Sequence, residues 1–268
     1  MQHSGKSPDT CYLIPATNMN QSLINYTLQI ADNNLILGQR LSEWCGHAPE
    51  LEIDIALTNI ALDLIGQSRN LYQYAAELEG KGRSEDDIAY LRDSSRYRNV
   101  LLVEQPNEDF AYTIARQFFF DVYNHLFYQE LTKSKDERLA EIAEKSLKEI
   151  NYHIRFSSEW MIRLGDGTKL SHEKIQTAVD DLWDFIGEMT LLNDTDREML
   201  SNGIGVDLNK IRPLYFQKVK EILAEATLNI PVEEPFQKGG KNGIHSEFLG
   251  HLLAEMQWMQ RAYPGAEW

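Results

Sequence analysis

Apolar residues recur in steps of three and four along most of the chain, and that spacing predicts helix after helix. A first segment runs from about Met19 to Trp44 with Leu28, Ala31, Leu35 and Gln39 on one face, and Gly46 and Pro49 punctuate its end. A second runs from Glu50 to Leu78, carrying Leu57, Ile60, Ala61, Leu64, Gln67, Ser68 and Leu71 at helical spacing, and Gly80 and Gly82 close it. After a charged stretch from Ser84 to Arg98, which reads as a short helix and a loop, a third long helix spans Glu108 to Leu131. Its stripe is Ala111, Ile114, Ala115, Phe118, Asp121, Val122 and His125. The fourth, Asp136 to Leu164, is the cleanest amphipathic pattern in the chain, and Gly165-Asp166-Gly167 stops it. Three more helical segments follow, Ser171–Thr190, Asp207–Leu228 and Ile244–Ala262, with a Pro-, Gly- and Lys-rich loop, Pro231–Gly243, before the last. No stretch alternates with the period of a strand. The expected fold is all-α: an antiparallel four-helix bundle with additional C-terminal helices, forming a single domain over residues 19–268 behind a polar, flexible lead-in at 1–18.

Composition narrows the partners. A formal net charge of −15 sets the chain against nucleic acid and anionic membrane surfaces, both of which repel it. No uninterrupted apolar run is long enough to cross a bilayer, and no secretory leader is evident. The two cysteines, Cys11 and Cys45, are too few for a disulfide framework or a structural zinc site and read as reduced thiols of a cytoplasmic protein.

A long-helix bundle raises the question of a di-iron carboxylate site, which takes one carboxylate from each of two helices and a Glu-x-x-His from each of the other two. The chain contains no Glu-x-x-His. The second helix presents Leu64, Gln67 and Ser68 inward, and the fourth presents Ile150 and His153. Asp121 lies on the apolar stripe of the third helix with His125 one turn later, so a buried polar cluster of Asp121, His125 and His153 is expected. The aspartate's partner would be His125, His153 or an arginine, because an unpaired buried carboxylate is costly. The competing reading is an atypical catalytic metal site for oxygen chemistry, built from Asp121, His125, Glu149 and His153, with Glu43 as a further candidate. Glu43 sits on the flank of its stripe and is expected at the surface or an interface. Gly239-Gly240-Lys241-Asn242-Gly243 has the look of an anion cradle but follows no strand, and is read as a flexible connector.

Several blocks in order carry a resemblance. Gly38-Gln39-Arg40-Leu41-Ser42-Glu43-Trp44-Cys45-Gly46-His47-Ala48-Pro49, Asn59 to Gln67, Ile162 to Thr168, Leu253 to Gln257 and Pro264 to Trp268 together resemble the PaaC-type subunits of bacterial phenylacetyl-CoA epoxidases. The resemblance implies a ferritin-like fold and a non-catalytic structural role. It implies as partners a homologous catalytic subunit that holds the di-iron centre, a reductase and small accessory subunits. No cofactor is implied for this chain. Where the catalytic relatives carry Asp-Glu-Ala-Gly-His, this chain reads Asp63-Leu64-Ile65-Gly66-Gln67, and where they carry Lys-Glu-Glu-Ser-Phe-His it reads Lys148-Glu149-Ile150-Asn151-Tyr152-His153. A vestigial di-iron site is therefore implied at Leu64, Gln67, Asp121, Ile150 and His153. A shift of one position on the second helix would substitute Ile65 and Ser68, which restores no ligand.

Overall fold

The computed structural model describes residues 16–266, and among them every regular element is helical. Helix α1 spans Ala16–Ser42 and α2 Leu51–Glu79. A crossover with the short helix α3 (Glu85–Tyr90) leads to α4 (Phe110–Leu131) and α5 (Glu137–Gly165). The C-terminal part adds α6 (Lys169–Leu182), α7 (Asp194–Ser201), α8 (Leu208–Glu225), α9 (Glu247–Met256) and α10 (Trp258–Ala262). Residues 1–15 of the expected lead-in, with Cys11, lie outside the described residues. Positions 16–18, assigned to that lead-in, already belong to α1.

Four helices make the bundle. Helix α1 packs along α2, α4 along α5, and α2 also meets α5. Asn34 reaches Gln67 and, nearer the start of α1, Asn20 reaches the Leu78 carbonyl, so α1 and α2 run antiparallel. Ser157 reaches Asp121 while Asn151 meets His125, which makes α4 and α5 antiparallel too. Helices α2 and α4 must then run the same way, and the chain needs the long return over residues 80–109 to bring it back along the bundle. This is the one-crossover topology of ferritin-like bundles. The 29 residues of α2 and of α5 give each a length of about 44 Å.

Helix ends follow local chemistry. Asp109, Asp136 and Thr168 accept the amides of Tyr112, Leu139 and Ser171 and so cap α4, α5 and α6. Gly80 ends α2 in the left-handed conformation at φ +62°, which a side chain would strain. At the far end of the bundle Gly165 packs so closely that an added Cβ would stand 2.1 Å from the Ala226 carbonyl oxygen.

Helix α4 is the centre of the molecule. It touches α5, α6, α8 and the crossover, and all three of its adjacent phenylalanines, Phe118, Phe119 and Phe120, are completely buried. Phe119 turns toward Trp183 beyond α6, whereas Phe120 stacks toward Tyr123. A helix surrounded in this way needs apolar side chains all round rather than along one stripe.

Candidate functional site

The bundle centre is crossed by a chain of polar groups contributed by all four helices. Asn34 of α1 donates from Nδ2 to the Tyr128 hydroxyl of α4 at 2.9 Å and to Gln67 Oε1 of α2 at 3.3 Å. Gln67 in turn donates from Nε2 to Glu149 Oε2 of α5 at 2.9 Å. Burial pushes the Tyr128 hydroxyl well above its ordinary range, so it stays protonated. Leu64, one turn before Gln67, and Ile150, next to Glu149, are completely buried apolar side chains.

A second polar group lies beside it. Asp121 is fully buried, accepting from Gln117 Nε2 at 2.7 Å and from Ser157 Oγ at 2.7 Å. Burial raises its pKa to about 6, against the pull of His153 and these two donors. His153 is also fully buried and directs Nε2 to Asp63 Oδ2 of α2 at 3.0 Å, while its Nδ1 has no hydrogen-bond partner.

These contacts correct several expectations. Asp121 is satisfied by Gln117 and Ser157, not by His125, His153 or an arginine. His125 does not join the cluster: it is half-buried at the α4–α5 seam, where its Nε2 meets Asn151 Oδ1 and Gln129 Nε2, each at 3.1 Å. Glu149 turns to Gln67. Glu43 lies just beyond the end of α1, exposed, where it pairs with Arg40 at 2.9 Å and accepts from Asn107 at 2.8 Å. Asp121, His125, Glu149 and His153 therefore do not converge on a common ion. Among the described residues no three His, Cys, Asp or Glu side chains gather closely enough to hold one. Nor do the residues at the bundle centre suit a pair of iron ions. Leu64 and Ile150 have no donor atoms, and Gln67 is neutral and already bonded on both sides. The buried Asp121 carboxylate is drawn into hydrogen bonds with an amide and a hydroxyl.

Gln117 is within reach of the sequence, since it stands one helical turn before Asp121. Asn34, Asp63, Tyr128 and Ser157 are not, because their roles depend on how separate helices register against one another.

The glycine-rich segment is the other correction. It is not a flexible connector. The amides of Gly239 and Lys241 donate to Glu188 Oε1 at 2.8 and 3.2 Å, and the Leu101 amide donates to Glu188 Oε2 at 2.8 Å. The anion that this cradle holds is the chain's own buried carboxylate. Gly240 sits against the crossover so tightly that a Cβ would lie 2.1 Å from the Asn99 carbonyl oxygen.

The family model described as "Phenylacetic acid catabolic protein" matches residues 14–268. The chain belongs to that family. A relative from Escherichia coli (strain K12), a subunit of 1,2-phenylacetyl-CoA epoxidase, is 50% identical over 250 residues, covering 93% of this chain and all of the relative. None of the helices described in this member of the phenylacetic acid catabolic family is long and apolar enough to cross a membrane.

Proposed function

We propose that this chain is a non-catalytic structural component of a multicomponent phenylacetyl-CoA ring epoxidase, acting in the cytoplasm in aerobic phenylacetate degradation. Its partner is a homologous subunit that carries the di-iron centre, served by a reductase and small accessory subunits. In this reading Leu64, Gln67, Asp121, Ile150 and His153 mark a degenerate di-iron site, and the chain needs no cofactor of its own. Its work is to bury a face against the catalytic partner and hold that partner in its active form.

The observation that carries the reading is the bond from Gln67 to Glu149. It joins α2 to α5 across the space where two metal ions would need carboxylates, and Asn34 and Tyr128 extend it to the other two helices. A bundle fastened through its centre by amides keeps its helices at a fixed spacing without ions. The test is to express the chain in iron-rich medium, alone and together with the catalytic partner, and to measure iron and epoxidation. The reading expects iron and turnover to follow the catalytic partner, with the isolated chain well below one iron per molecule and inactive. Two tightly held irons in the isolated chain would overturn it.

A further inference from the structure

Helices α2 and α5 have the same length and lie in the same bundle, yet their outer faces differ. That of α5 is lined with charge, including Glu137, Glu141, Glu144, Lys148 and Arg155, all exposed. The outer lane of α2 reads Glu52, Ile55, Asn59, Leu62, Gly66 and Arg69, all six exposed. Ile55 and Leu62 are more than half exposed, at 52% and 61%. Gly66 stands in mid-helix, where glycine weakens a helix relative to alanine, and an added Cβ there would meet nothing within 4 Å. Nothing among the described residues packs against that position.

The spacing of the lane, three-four-three-four-three, is that of a seam between two helices packed side by side. It is also palindromic. A second α2 laid antiparallel across a two-fold axis between Asn59 and Leu62 brings Glu52 opposite Arg69, Ile55 opposite Gly66 and Asn59 opposite Leu62. Acid meets base at both ends, and each isoleucine faces the flat backbone of a glycine, which lets the helices approach. Arg69 donates to Glu85 within its own chain but keeps a side chain 67% exposed, open to a second carboxylate. We infer that the occupant of this face is a second copy of the same chain, paired α2 against α2 in an isologous dimer. The pattern is complementary to itself in spacing and in the charges at its two ends. This inference is independent of the role proposed above, since it concerns the chain alone.

Sedimentation velocity on the full-length chain tests it, with helix content and thermal unfolding as controls for folding. The expected species is a dimer. Gly66→Trp should dissociate it without unfolding the chain, because the new side chain points into open space in the single chain and into Ile55 across the axis. Glu52→Arg and Arg69→Glu should each weaken the dimer by about tenfold, since the symmetry places two like-charge pairs in every dimer, and the double variant should recover affinity. A monomeric chain, a dimer indifferent to Gly66→Trp, or a double variant no tighter than its parents would each overturn the pairing. So would a chain that is monomeric alone and uses this lane only in contact with the catalytic partner.

Discussion

The bundle centre and the clasp between crossover and C-terminal segments both bury polar groups, but they do so with different chemistry. At the centre three carboxylates, Asp63, Asp121 and Glu149, meet at most two donors each, and some atoms are left over: Asn34 Oδ1, Gln117 Oε1 and His153 Nδ1 have no partner. The clasp is built on four buried carboxylates, each surrounded by donors. Asp32 accepts from Tyr72, from both terminal guanidinium nitrogens of Arg92 and from the Arg98 amide. Glu104 accepts from Asn99 and the Ser246 amide and meets His245. Glu188 holds three backbone amides, and Asp196 takes Lys241, Gln29 and the Asn193 amide. The difference teaches where this molecule invests its ionic interactions. It fixes the long return and the C-terminal segments onto the bundle with carboxylates ringed by donors, and leaves those of the bundle centre with fewer donors each.

The sharpest way to break that contrast is to remove an anion from the clasp. Asp32→Ala leaves Arg92 buried without a counter-charge and strips Tyr72 and the Arg98 amide of their acceptor. A loss of about 3–5 kcal/mol is expected in urea unfolding. A loss under about 1 kcal/mol would show that the clasp is dispensable. Glu188→Ala orphans three backbone amides at once, and a loss of about 2–4 kcal/mol is expected from the same measurement. The smallest effect belongs to the centre. Asp121 has its pKa raised to about 6 in the folded state, above its ordinary 3.8. The stabilisation from holding that proton is complete below the unfolded value and disappears as pH rises through about 6. Asp121→Asn has no proton to lose, and its amide can serve both Gln117 and Ser157. The variant should therefore gain on the wild type by about 1 kcal/mol between about pH 5 and about pH 8. A pH-independent difference would mean that Asp121 does not titrate in this range.

Much of the fold is legible in the sequence because α2 and α5 each bury one face and therefore show a helical period, while α1 is buried all round from Gln29 to Gly38 and is marked mainly by its ends. Their ends fall within a few residues of the glycines and caps that mark them. Helix α7 escapes such a reading, since eight residues of the pattern Asp-Thr-Asp-Arg-Glu-Met-Leu-Ser bury little apart from Met199 and Asp196. Its visible sign is Asn193 followed three residues later by Asp196, a reciprocal cap. The long segment expected over Ser171–Thr190 is helical only to Leu182 and continues as short tight turns. At the site, Asp121 and His153 are buried as their spacing implies, but His125 is not. The reason lies in α4, where burial extends round most of the helix and a place on the stripe no longer tells inside from edge. The cradle for Glu188 is visible as a cluster of glycines, while its occupant, some fifty residues earlier, is not.

The enclosure of α4 has a consequence for synthesis. This helix leaves the ribosome before α5, α6 and α8 exist to cover it, so its phenylalanines remain exposed until nearly the whole chain has been made. The nascent protein is at its stickiest late in translation, which is when a chaperone or a waiting assembly partner has the most to shield.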